Sequence, residues 1–253
     1  VSPAREVPEG ILAARASARG VLDRFGVRAP EEIDVTLFAA TYGAFVTWSD
    51  TGPEDARVVR VPEGALIVIR RDKRGTERAR FSSAHELGHH LNHPDFDAIA
   101  RVHGAPRTSG PEFRIEREAD AFAVELLMPE ALLTDTCAVE RPTFQDVVEV
   151  AQRFGTSLMA TGRRWTELSS APCALLEAKD GVVSRVDKTA AFRADVARGR
   201  SLERVLDALH GVTLQWADVP ETGATLTWAW HSPAWERPKR ARAGRAGGER
   251  DGR

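Results

Sequence analysis

His85 and His89 stand four residues apart with Glu86 beside the first, the pattern HExxH. On a helix, positions i and i+4 lie one turn apart on the same face, so both imidazoles can converge on one cation. Zinc takes such nitrogens at about 2.0–2.1 Å. Glu86 falls about 100° further round the helix, where its carboxylate can flank the ion and act as general base on the attacking water. That is the layout of a zinc-dependent peptidase. The surroundings suit burial: Ser82, Ser83 and Ala84 come before, and Leu87, Gly88 and Leu91 lie in and beyond the motif. A helical glycine costs about 1 kcal/mol relative to alanine, which is tolerable where another element must approach closely. A solvated polar helix gives no reason to place three histidines and a glycine there.

A catalytic zinc usually takes three protein ligands and keeps a fourth position open. His93 continues the i, i+4, i+8 series, but on an unbroken helix it lies roughly 12 Å from His85 along the axis. Pro94 ends the helix, so His93 is expected to help close its C-terminus. His90 points off the ligand face, and His103 sits in a Gly/Pro-containing stretch whose spacing demands nothing of it. Residues 111–128 (PEFRIEREADAFAVELLM) are the better source. Ile115, Ala119, Phe122, Ala123, Leu126 and Leu127 recur at helical spacing and mark a buried face. Glu116 and Asp120 sit at i and i+4 beside that face, and a cation or an imidazole N–H would relieve their repulsion. Glu116 is therefore assigned as the third ligand. Asp120 is assigned as the acceptor that orients one metal histidine, His85. Glu118 and Glu125 fall on other arcs and read as solvated charge. Without the HExxH, the whole helix would read as an ordinary acidic surface.

The two stretches ARFSSAHELGHHLNH and IEREADAFAVELLMP resemble the ImmA/IrrE family of metallopeptidases, bacterial and phage-borne proteins. Their hallmark is HExxH followed by a helix E-x-x-x-[ND]-x-F-A-x-x-L-L-M-P. His85, Glu86, His89, Glu116, Asp120, Phe122, Ala123, Leu126, Leu127, Met128 and Pro129 match it position by position. Many members carry Asn where this chain has Asp120, an arrangement similar to the Glu-xxx-Asp of thermolysin-like enzymes. The resemblance spans roughly residues 10–190 and is strongest over 80–130. It implies an α+β fold with a zincin-like core, in which the HExxH and Glu-ligand helices lie over a small sheet. It also implies an intracellular, site-specific zinc protease that cleaves or inactivates a helix-turn-helix transcriptional repressor, in response to stress or induction of a mobile element.

The elements that must position these residues come first in the chain. Residues 9–25 and 30–43 read as helices, the second opening on Pro30, Glu31 and Glu32. Residues 44–48, 56–61 and 65–70 read as short strands, with Pro62, Glu63 and Gly64 turning between the last two. An exposed edge there could bind an extended substrate by strand addition; equally, the strands could simply roof the core. Residues 1–135 are thus expected to form the peptidase domain.

Residues 143–168 read as helix, Gly155 turn, helix, with Thr156 and Ser157 at the second start. Such a unit can read DNA, here with Arg163 and Arg164, or pack on a core. Gly162 interrupts the second helix and only two basic residues would face a groove, which favours the packed pair, assigned to 136–170. Residues 171–235 read as a small α+β unit: a hairpin about Asp180 and Gly181, a helix over 201–209, then two alternating strands around residues 220–223. Trp228, Trp230 and Trp235 could line a partner groove or fill a core. Residues 236–253 carry seven basic and three acidic residues and read as a disordered tail.

Composition bounds the rest. A chain of 253 residues can bury one good core and a small second unit. Its 35 basic and 37 acidic residues leave no general electrostatic claim on nucleic acid. Two cysteines, Cys137 and Cys173, without metal-type spacing fit a reducing compartment. There is no 18-residue apolar run and no charged-then-apolar leader, so the expectation is a soluble, cytoplasmic protein. The alternative function is a DNA- or partner-binding regulator, an antitoxin-like module with a structural or sensory metal site. A structural site, however, gains nothing from Glu86 and usually closes all four positions. Zinc suits the His/His/Glu set, though Mn²⁺ and other first-row ions use similar ligands.

Overall fold

The computed structural model describes residues 7–50, 55–94, 110–207, 209, 212–219 and 223–234. The readings made for His103, Trp235, the 220–222 turn and the basic tail lie outside the described residues.

Pro8 and a left-handed Gly26 (φ 64°) bracket the first helix, α1 (Glu9–Phe25), which buries Ile11, Ala14, Ala18, Val21 and Leu22 along one stripe. The helix expected over 30–43 is divided. Pro30–Glu32 forms a separate 3-10 turn, and α2 (Val35–Thr41) begins afresh because Asp34 Oδ1 accepts from the Thr36 and Leu37 amides at 2.9 and 3.0 Å.

Strands β1 (Ala44–Ser49), β2 (Ala56–Val61) and β3 (Gly64–Arg70) form a sheet of order β1-β3-β2. β3 is parallel to β1 and antiparallel to β2. Alternation along β3 buries Ala65, Ile67 and Ile69 completely. Its first residue must be glycine: φ is 145°, and a Cβ would collide with the Gly43 carbonyl.

One long helix packs on this sheet and a second packs on the first. α3 (Glu77–Asn92) is started by Thr76, whose hydroxyl accepts from the Ala79 amide. α4 (Pro111–Leu127) opens on a proline at its first position and packs between α1 and α3. Gly88 on α3 meets Phe122 on α4, where a Cβ would come within 3.0 Å of the ring. The helix-weakening glycine therefore serves close packing.

The chain continues through α5 (Glu130–Cys137), α6 (Phe144–Phe154) and α7 (Leu158–Leu168). α6 is capped by a reciprocal Thr143–Asp146 box, and Gly155 (φ 60°) and Ser157 separate it from α7. Strands β4 (Cys173–Lys179) and β5 (Val182–Lys188) form the expected hairpin, with positive φ at both Asp180 and Gly181. After α8 (Leu202–Asp207), strands β6 (Thr213–Val219) and β7 (Ala224–Trp230) complete an antiparallel sheet of order β5-β4-β7-β6. The described fold is α+β, and among the described residues no helix is long and apolar enough to cross a membrane.

One sequence reading changes here, and two alternatives left open are resolved. Gly162 does not break α7; it lets the helix sit against β4, since a Cβ there would lie 2.9 Å from Leu175 Cδ2. Arg164 cannot face a DNA groove. Its side chain is 1% exposed and its guanidinium binds Glu125 at 2.6 Å, Glu167 at 3.0 Å and the Met128 carbonyl at 3.2 Å. Trp228 is core: it meets Trp165 edge-on and donates to the Pro142 carbonyl, while Trp230 donates to that of Glu140.

Candidate metal centre

The helical period places His85 and His89 on one face of α3, and their Nε2 atoms lie 3.0 Å apart. α4 crosses that face and presents Glu116, whose two oxygens reach His85 Nε2 at 3.3 Å and His89 Nε2 at 3.5 Å. These three residues are the group of ligand atoms among the described residues that could hold a metal ion. Their spacing tests the fit. A tetrahedron with arms of about 2.0–2.1 Å has edges of about 3.3–3.4 Å; the two Nε2 atoms lie 3.0 Å apart, each faces a different Glu116 oxygen, and one ligand atom from each residue falls within 4.8 Å of the others. The donor set, two imidazole nitrogens and a carboxylate, also suits zinc.

Asp120, one turn beyond Glu116, places Oδ1 3.0 Å from His85 Nδ1. Glu86 is 8% exposed and lies near enough to His85 to favour its charge. His90 is drawn elsewhere: its Nε2 donates to the Tyr42 carbonyl at 2.9 Å. Tyr42 itself lies under the Arg24 guanidinium, 5.0 Å from ring centre to Cζ.

The electrostatics are those of a site that wants a cation. Burial disfavours charge on His85, but the Asp120 and Glu116 carboxylates overcome it and raise its pKa to about 10. At His89 burial prevails, with His85 and His93 adding repulsion, and the pKa falls. Hydrogen bonds from His85 and then His89 hold the Glu116 carboxyl well below the usual carboxylate range. A proton thus occupies the cluster at neutral pH when no metal does.

Two readings of the acidic helix are overturned. Glu118 and Glu125 are not solvated. Glu118 Oε2 lies 3.1 Å from His93 Nε2 with its side chain 15% exposed, and Glu125 is fully buried against Arg164. The sequence does hold a signal for the first contact: His93 completes the His85, His89, His93 stripe. Its partner on α4 has no such signal, because which arc of α4 faces α3 and which faces α1 depends on how the helices cross.

Comparison with known proteins places these features in context. Residues 39–166 match the family model described as the IrrE N-terminal-like domain, Peptidase_M78. The chain is 27% identical over 199 residues to the radiation response metalloprotease IrrE of Deinococcus radiodurans, covering 79% of this chain and 58% of that protein. It is 29% identical over 178 residues to the protein of the same name from Deinococcus deserti, covering 68% of this chain and 62% of that one. The chain therefore spans about three fifths of the length of these relatives. Among solved structures, a Mycobacterium tuberculosis transcriptional regulator superposes with a TM-score of 0.53 at 14% identity, over 89% of this chain and 77% of that one. That likeness is one of fold.

Proposed function

This chain belongs to the ImmA/IrrE family of metallopeptidases, and from that premise we propose that it is a zinc-dependent, site-specific endopeptidase with a zincin-like core. His85, His89 and Glu116 would hold the ion through the two Nε2 atoms and a carboxylate oxygen. When bound, zinc supplies Lewis acidity, which acidifies a water and polarises a peptide carbonyl. Glu86 is the general base: it takes the proton from the attacking water and later delivers one to the departing amine nitrogen. Asp120 accepts the His85 Nδ1–H and so reserves the Nε2 lone pair for the metal. Residues 1–135 would carry this chemistry, with the 136–170 helices packed against it.

The observation that carries the reading is the convergence of His85, His89 and Glu116, one ligand atom of each within 4.8 Å of the others, with a buried glutamate beside them. The proposed substrate is a protein, a helix-turn-helix transcriptional repressor, in a stress or mobile-element response. Support for that part comes from the family resemblance and from the relatives' name, which ties them to a radiation response.

The test uses wild type and Glu86→Gln, each assayed for bound zinc and incubated with helix-turn-helix repressors from the same organism. We expect one zinc per chain in both and a discrete cut by wild type alone, the variant losing about 10²- to 10⁴-fold in rate. Full activity in Glu86→Gln would sink the mechanism. Zinc in both with no cut in either would shift the reading to a partner-binding regulator.

A further inference from the structure

The second histidine of the motif has a support that the first does not. His89 can turn Nε2 towards an ion only if its proton sits on Nδ1 and something accepts it. His93 Nδ1 lies 3.2 Å from His89 Nδ1. Two neutral imidazoles share one proton between facing nitrogens, so if His89 donates, His93 must carry its own proton on Nε2. That nitrogen lies 3.1 Å from Glu118 Oε2. The hydrogen bonds therefore run in one direction, from His89 to His93 to the Glu118 carboxylate.

We propose that His93 and Glu118 are positioning residues for the metal centre, forming a sheltered relay that fixes the ring and tautomer of His89. The proposal rests on the zinc reading above. Four elements build the relay. On α3, the His93 amide closes the helix on the His89 carbonyl at 3.0 Å. From β2, Arg60 Nη2 donates to the His93 carbonyl at 3.0 Å. On α4, Arg114 Nε approaches Glu118 Oε1 at 3.8 Å. On α1, Gly10 leaves room for the Glu118 carboxylate, which a Cβ at that position would strike. The His93 side chain is 8% exposed, so water has little access to replace it. Asp120, the support of His85, is by contrast more than half exposed.

The experiment compares metal-free wild type, His93→Phe, His93→Gln and Gly10→Ala. Each is titrated with Zn²⁺ against a chelating indicator, and with Co²⁺ followed by its d–d absorption. His93→Phe keeps a ring but no acceptor, and should lose about 10- to 100-fold in Zn²⁺ affinity with an altered Co²⁺ spectrum. Gln can accept from His89 through its carbonyl and donate to Glu118 through its amide, so His93→Gln should recover most of the affinity and the spectrum. Gly10→Ala displaces Glu118 without touching a histidine and should fall between them. Wild-type affinity and spectrum in His93→Phe overturns the relay alone. Equal losses in the Phe and Gln variants, with melting temperature lowered alike, make His93 a packing residue and also overturn it. Failure of wild type itself to bind Zn²⁺ removes the metal reading and the relay together.

Discussion

Two pairs of carboxylates flank the apolar face of α4, and they meet opposite surroundings. Glu116 and Asp120 border one edge, half-exposed, and turn to His85 and His89. Glu118 and Glu125 border the other edge, roughly 180° away at 100° per residue, and are sheltered against α1, α3 and α7. Glu125 takes Arg164 at 2.6 Å and Arg19 at 3.5 Å. The same side-chain type thus faces the candidate metal histidines directly on one edge, and on the other holds the Glu125–Arg164 ion pair and the Glu118 contact to His93. The difference lies in what stands opposite, and it should show in what each substitution damages.

The largest effect is expected on the structural edge. Glu125→Leu leaves the Arg164 guanidinium buried without its closest carboxylate and should destabilise the fold by about 3–5 kcal/mol. Adding Arg164→Met should recover most of that loss in a denaturant melt. Equal stability of the single and double variants would mean that the pair is not coupled, and the contrast between the edges would lose its firmer half.

On the functional edge the damage should fall on metal, not on folding. If the roughly 10–16 kcal/mol of a four-ligand zinc site divides evenly, Glu116→Ala forfeits about 3 kcal/mol, or about a hundredfold in affinity. Its metal-free unfolding midpoint should stay near wild type's. A large fall in that midpoint would make Glu116 structural too.

Proton competition sharpens the same edge. His85 is raised from 6.5 to about 10 in the metal-free protein, so zinc must displace a proton from it at neutral pH. Apparent zinc affinity should rise about tenfold per pH unit up to about pH 10 and then level off. For folding the sign is opposite. The stabilisation from protonated His85 is complete below 6.5 and is lost as pH rises through about 10, so the metal-free protein should melt lower at alkaline pH. A zinc affinity already flat above pH 7 would show that the carboxylates leave His85 unperturbed.

The smallest effect tests the seam between α3 and α4. Gly88→Ala gains about 1 kcal/mol of helix propensity but pushes Phe122 aside, at about 1–3 kcal/mol for overpacking. The net destabilisation should be about 1 kcal/mol in a thermal melt. A stabilised variant would mean that the seam has slack and that Glu116 is not held by close packing.

Much of the site is legible without coordinates because it is local. HExxH fixes two imidazoles one turn apart through helical geometry alone, and the i, i+4 spacing puts Glu116 beside Asp120 on the same arc. Turn chemistry is equally local: Asp180-Gly181 demands positive φ, and Gly155-Thr156-Ser157 spells a stop and a start. The 30–43 segment misleads because Asp34 caps within it, a side-chain bond that competes with the apolar pattern. Glu118 and Glu125 mislead for a different reason. Charge is read as solvated by default, and only a partner supplied from a distant helix reverses that.

The sequence by itself determined that two imidazoles and a carboxylate share one helical turn, since a motif whose members lie that close needs no knowledge of the rest of the chain. It also determined which glutamate and aspartate of the second helix share an arc. Only the tertiary structure decided which arc of α4 meets α3, that His93 and Glu118 join end to end behind His89, and that Arg164 is sealed against Glu125. Those contacts span 25 and 39 residues. They depend on where two helices cross, and crossing is set by side chains such as Gly88 and Phe122 fitting together, which no periodicity encodes.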